Sequence, residues 1–131
     1  MLLGSLLPTE SQEQMALFEW AEMYKREYPE LQLMYHIPNG GYRTKAEAGR
    51  FKAEGVKAGV PDIFLPVSRG GFHGLYIELK RMGRSGISDA QRKWLAALSE
   101  QGYKTVVCKG WQEAAGALSR YLKAGGSHVI H

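Results

Sequence analysis

The chain has 131 residues, 44% hydrophobic and 23% charged, the length and balance of one ordinary globular domain, which excludes a disordered or a fibrous chain. Its 17 Lys and Arg against 13 Asp and Glu leave a formal charge of +4, which favours a polyanionic partner only if the cations cluster on one surface. The single cysteine, Cys108, excludes an internal disulfide and a cysteine-rich zinc site; with no basic-flanked leader and no apolar run of membrane length, a soluble, cytoplasmic protein in a reducing compartment is expected.

The opening Met1, Leu2, Leu3, Leu6 and Leu7 have no place in a helix or strand, so they either cover the domain's own core or form an interface. Thr9 with Gln12, or Ser11 with Gln14, makes a capping box, and Pro29 is a stop, which predicts a first helix over roughly Glu10 to Tyr28. Leu17, Ala21, Tyr24 and Tyr28 recur at helical spacing, with Phe18 beside them, as its core-facing stripe.

Leu31 to Ile37 reads as a strand closed by the loop Pro38-Asn39-Gly40-Gly41. Tyr42 to Lys57 reads as irregular or weakly helical, interrupted by Gly49 and Gly55 and studded with Arg43, Lys45, Arg50, Lys52 and Lys57. These cations are either a solvated surface or, because they lead straight into Gly59-Val60-Pro61-Asp62, a set of DNA phosphate contacts.

Ile63 to Leu65 and Leu75 to Leu79 are rich in β-formers and joined through Ser68-Arg69-Gly70-Gly71, as in a hairpin. Ser88 with Gln91 is a further capping box, heading a helix with Trp94, Leu95 and Leu98 on one side and Gly102 as its stop. Lys104 to Cys108 is another strand, and Trp111 to Leu122 a last helix before a flexible tail at Gly125-Gly126. A strand, helix, strand succession needs a crossover, so parallel strands are expected in a mixed central sheet flanked by helices, an α/β fold in a single domain.

Side chains alternate along a strand, so Tyr76, Glu78 and Lys80 share the face opposite Leu75, Ile77 and Leu79. A carboxylate and an ammonium ending an apolar strand are costly to bury unpaired, which places them in a functional cleft. A hairpin also brings Asp62 beside Glu78, and two converging carboxylates suit a hard cation such as Mg²⁺ or Mn²⁺. Tyr76 on the same face lines the cleft or simply packs. His36, His73, His128 and His131 lack paired metal spacing, and no role is assigned to them.

Pro61-Asp62 followed by Glu78-Leu79-Lys80 resembles the PD-(D/E)xK nuclease signature. More narrowly, Gly55 to Asp62, Glu78-Leu79-Lys80-Arg81, Ser88 to Gln91, and Gly102 before a strand resemble the VRR-NUC branch, over roughly Glu10 to Trp111. The resemblance implies a restriction-endonuclease-like core and a DNA-cutting phosphodiesterase using Mg²⁺ or Mn²⁺. It also implies a homodimer, as in stand-alone phage and bacterial members, and DNA repair on junction or flap DNA. By the same resemblance Asp62 and Glu78 are metal-binding acids, with the Leu79 carbonyl a further ligand. Lys80 is the catalytic lysine and Gln91 a motif glutamine near the site; Arg81, next to that lysine, is expected with the other cations as a DNA contact. The family's helix-one acid falls on Glu10, which shares a helical face with Gln14, with Glu13 as its rival. Glu10 also has a plain reading as an acid opposing the helix dipole, and Gln91 one as a capping-box partner. A non-catalytic DNA-binding accessory module of the same fold is the alternative.

Overall fold

A computed structural model of the chain describes residues 6–38 and 44–124. Met1, Leu2, Leu3, Asn39 to Arg43, the tail from Gly125, and with it His128 and His131, lie outside those described residues.

Helix α1 spans Glu10–Met23 and starts on the Thr9 box: Thr9 Oγ1 accepts from the Gln12 N–H at 3.1 Å, and Gln12 Oε1 accepts from the Thr9 N–H at 2.8 Å. The helix stops at Met23 rather than Tyr28. Tyr24 caps it and lies exposed with its ring 5.3 Å from that of Trp20, and one further turn swings Tyr28 against the core. The expected strand from Leu31 is mostly a 3-10 helix, Pro29–Leu33, in which Pro29 occupies the first position, where its missing N–H costs nothing. Only Tyr35–His36 remains as strand β1.

The basic segment forms a true helix, α2 (Lys45–Ala53), capped by Thr44, whose hydroxyl accepts from the Glu47 N–H at 2.9 Å. It buries none of its residues, so capping and polar side chains hold it rather than a core face. Strands β2 (Ile63–Leu65), β3 (Leu75–Lys80) and β4 (Lys104–Lys109) follow, with α3 (Asp89–Glu100) between the last two and α4 (Trp111–Ala124) at the end. The sheet order is β1-β2-β3-β4, the first two pairings antiparallel and β3–β4 parallel, as a mixed sheet requires.

One face of the sheet presents Ile63, Leu65, Leu75, Ile77, Leu79 and Cys108 to Leu17 and Ala21 of α1 and to Ala114, Leu118 and Leu122 of α4. Each fully buried Leu or Ile there contributes about 1.5–3 kcal/mol. The other face carries Phe64 and Tyr76, whose rings stack with centroids 4.2 Å apart, under α3. Trp94, Leu95 and Leu98 of α3 are only partly buried, so this second layer is the thinner one.

A buried carboxylate ties the terminal helices together. Glu13 is 2% exposed and its Oε1 accepts from the Trp111 N–H, the first of α4, at 2.9 Å. A negative charge at the start of a helix meets the positive end of its dipole, which stabilises the charge without a basic partner.

Candidate active site

The antiparallel register pairs Ile63 with Ile77, and one step further it sets Asp62 opposite Glu78 on the same face. The Asp62 carbonyl accepts from the Ile37 N–H at 2.7 Å on the β1 side, while its Oδ2 accepts from the Leu79 N–H at 2.8 Å on the β3 side. Asp62 is thereby fixed at both ends. The segment before it is held by Gly59, at φ +93, whose added Cβ would come within 2.8 Å of Ala90. No other residue type fits a positive φ and so close an approach, and the contact locks the Asp62 segment onto the first turn of α3.

Glu78 is 1% exposed and Lys80 8%. Between them stands Gln91: its Nε2 donates to Glu78 Oε2 at 2.9 Å, and its Oε1 accepts from Lys80 Nζ at 3.0 Å and from the Ser88 N–H at 2.9 Å. The amide that closes the α3 capping box thus also bridges the acid and the lysine. With two donors on its oxygen, the amide can only point its nitrogen at Glu78. Lys80 Nζ lies 3.6 Å from Glu78 Oε2, an ion pair just beyond hydrogen-bond distance.

Burial pushes the Glu78 carboxyl up to about 8; the Asp62 charge and carboxyl beside it and the Glu10 charge push the same way, and Lys80 opposes them. Glu78 Oε1 is buried and accepts from no donor. A carboxylate oxygen aimed at a second carboxylate with no donor is the environment a divalent cation relieves. Among the described residues no three His, Cys, Asp or Glu side chains form a ready ligand set. The donors that fit are two carboxylates and the Leu79 backbone carbonyl, an all-oxygen set suited to Mg²⁺ or Mn²⁺ with water completing the shell.

Glu10 lines the same cleft, about 220 Å³, with Ser11, Gln14, His36, Asp62 and Leu79. Glu13 does not: it is spent on Trp111, one turn along the helix and facing the core. A larger cavity, about 370 Å³, lies at the other end of β3 among Arg69, Phe72, Lys104 and Arg120 and carries no acid. Of the expected phosphate contacts, Lys45, Arg50, Lys52 and Lys57 are exposed on and after α2, and the Arg50 guanidinium sits over the Phe51 ring at 4.9 Å. Arg81 is half-buried and its Nη2 donates to the Leu7 carbonyl at 3.2 Å. Leu6 and Leu7 are both exposed.

Tyr76 stacks on Phe64 beyond the acids. The residue that sequence reasoning passed over is His36. Its Nδ1 lies 2.9 Å from the Asp62 carbonyl and it borders the cleft; a lone histidine in a two-residue edge strand gives no spacing signal, and its partner lies 26 positions away.

No curated protein sequence matches the chain. A solved structure of a VRR-NUC domain protein superimposes with a TM-score of 0.76 at 33% sequence identity, covering 91% of this chain and 92% of the other. The family model of the VRR-NUC domain matches residues 9–112, from the cap of α1 to the start of α4. The acids, the lysine and the sheet that carries them all fall within that match, and the chain belongs to the VRR-NUC family of nuclease domains.

Proposed function

We propose that the protein is a DNA endonuclease dependent on Mg²⁺ or Mn²⁺, that it hydrolyses phosphodiester bonds with preference for branched DNA such as a Holliday junction or flap, and that it serves DNA repair in the cytoplasm as a homodimer. The observation that carries this reading is the pairing of Asp62 with a buried Glu78 whose Oε1 has no donor, beside a lysine held off from it by Gln91. The nuclease family supports the phosphodiester substrate. Among the described residues no helix is long and apolar enough to cross a membrane.

Asp62, Glu78 and the Leu79 carbonyl would hold the ion, with Glu10 reaching in from α1. Bound there, a divalent ion supplies neutralising charge to the phosphate and acidifies a water. Lys80 Nζ, fixed by Gln91 Oε1, donates to the attacking water, aims its lone pair at phosphorus and stabilises negative charge developing on the phosphate oxygens. Asp62 keeps its orientation because the Leu79 N–H holds Oδ2. The exposed cations of α2, with Lys57 and Arg43, grip phosphates on either side of the cut, and Arg81 guides the strand past Leu7. Cutting both strands of a junction requires two sites in fixed relation, which a two-fold pair supplies.

The test is a panel of labelled linear, flap and four-way DNAs with Mg²⁺, Mn²⁺ or chelator. Cleavage should require the metal and vanish in Asp62→Asn, Glu78→Gln and Lys80→Ala while DNA binding survives. Cutting in chelator, or full activity of Lys80→Ala, would overturn the assignment. Binding without any cleavage of the panel would return the protein to the accessory-module reading. Light scattering at micromolar concentration tests the dimer, and a monomer that makes paired symmetric cuts would refute it.

A further inference from the structure

The cleft holds a titratable side chain to which neither the nuclease signature nor the acid pair gives a role. His36 borders it beside Glu10 and Asp62, and its Nδ1 lies 2.9 Å from the Asp62 backbone carbonyl. A carbonyl oxygen only accepts, so Nδ1 must carry the proton in that bond. In the neutral ring the other nitrogen, Nε2, is then a bare acceptor by elimination. The cleft is otherwise rimmed by the carboxylates of Glu10 and Asp62 with Ser11 and Gln14, so a cation entering it would arrive hydrated.

The direct ligand set proposed above, Asp62, Glu78 and the Leu79 carbonyl, does not include His36. Its ring is nonetheless oriented through the same residue that offers the metal a carboxylate. A histidine whose proton is engaged by a backbone carbonyl has a fixed tautomer and a fixed direction for its free nitrogen, as metal-site histidines do.

We propose that His36 is a positioning residue of the metal site, its Nε2 accepting a hydrogen bond from a hydration water of the divalent ion that Asp62 and Glu78 hold. The inference rests on the metal-dependent reading of the cleft and extends it to a residue outside the acid set. The edge strand β1 gains a purpose by it, since the His36 ring and the Ile37 N–H both attach to the Asp62 carbonyl and the strand sets the acid's backbone and the water's acceptor together.

Two substitutions separate this role from a merely structural one, because asparagine reproduces the reach of Nδ1 and glutamine that of Nε2. Mn²⁺ binding to the full chain, without DNA, is read by the loss of the free-ion electron paramagnetic resonance signal. His36→Ala and His36→Asn should weaken Mn²⁺ binding by about tenfold or more, the range for lost outer-shell partners. His36→Gln should stay within about threefold of wild type by the same standard. The inference is overturned if His36→Asn binds Mn²⁺ like wild type, or if His36→Gln loses as much as His36→Ala, since the bond to the Asp62 carbonyl would then account for the whole effect. Glu78→Gln is the control for the underlying reading. If wild type binds no Mn²⁺, or Glu78→Gln binds it unchanged, the metal site itself fails and the His36 role falls with it.

Discussion

Replacing Gln91 by alanine separates helix capping from site assembly, because Ser88→Ala provides a matched partner. Both variants break the α3 capping box, at a cost of about 1 kcal/mol. Ser88→Ala leaves the Gln91 amide bonds in place, because what Ser88 gives that amide is its backbone N–H. Gln91→Ala also strips the amide donor from Glu78, which is 1% exposed and already has one oxygen without a donor. A buried polar group left without its hydrogen bond costs about 1–3 kcal/mol more. Urea unfolding of the metal-free protein should therefore place Ser88→Ala about 1 kcal/mol and Gln91→Ala about 2–4 kcal/mol below wild type. The effect on cleavage should be larger and differently distributed. With Oε1 gone, nothing holds Lys80 Nζ at its 3.6 Å separation from Glu78 Oε2, and the existing ion pair can shorten to hydrogen-bond distance. Misplacing a catalytic group by about 1 Å costs on the order of 100-fold in rate. Single-turnover cleavage of a labelled junction at saturating Mn²⁺ should show Gln91→Ala slowed by about that factor and Ser88→Ala within about threefold of wild type. Equal slowing of the two variants, or wild-type rates for Gln91→Ala, would refute the claim that this amide spaces the lysine from the acid.

Glu10→Gln should weaken Mn²⁺ binding and leave the unfolding midpoint nearly unchanged, whereas Glu13→Gln should lower stability by about 1–2 kcal/mol through its weakened bond to Trp111 and leave metal affinity intact. Calorimetric titration and urea unfolding read the two effects separately, and the reverse pattern would move the metal-site acid one turn along α1. In metal-free protein, Glu78 holds its proton up to about pH 8 in the fold against an ordinary 4.5. The native state thus binds more protons than the unfolded chain between those values, and the contribution of Glu78 to stability falls as pH rises through that window. Glu78→Gln should flatten that fall, as seen by comparing urea midpoints at pH 6 and pH 8.5; a wild-type slope in the variant would contradict the assignment. Cys108, 2% exposed and pushed up to about 11 by burial, should resist a thiol reagent at pH 8 until the protein is unfolded. Rapid labelling in the native state would show that the core opens at β4.

Elements whose information lies in neighbouring residues were readable from the sequence. The alternation in β3 separated Ile77 from Glu78 and Lys80, and the capping boxes at Thr9 and Ser88 set the starts of α1 and α3. The end of α1 was not readable, because nothing between Met23 and Pro29 marks a stop and the chain leaves the helix to bring Tyr28 to the core. Leu31 and Leu33 looked like strand positions, yet one is buried and the other 55% exposed in the turn that Pro29 starts. The choice between Glu10 and Glu13 depended on a backbone N–H 98 positions away, and no local pattern encodes such a partner. Gln91 looked ambiguous because its one amide bonds both the cap residue Ser88 and Lys80.

The clasp between Glu13 and Trp111 has a consequence for the order in which the molecule assembles. Asp62, Glu78, Lys80 and Gln91 lie on one unbroken stretch, from the residue before β2 through the first turn of α3, and their contacts close short loops. Glu10 belongs to a helix fastened by a bond that closes a far longer loop. Chain entropy lost on closure grows with loop length, and non-local contacts form late in folding. The inner acids and lysine can therefore come together while the terminal helices are still undocked, and the outer wall of the cleft is added in the final step. Transient release of α1 from α4 would carry Glu10 away and leave Asp62, Glu78, Lys80 and Gln91 in place, so hydrogen exchange at the Trp111 amide should report how often the site stands open.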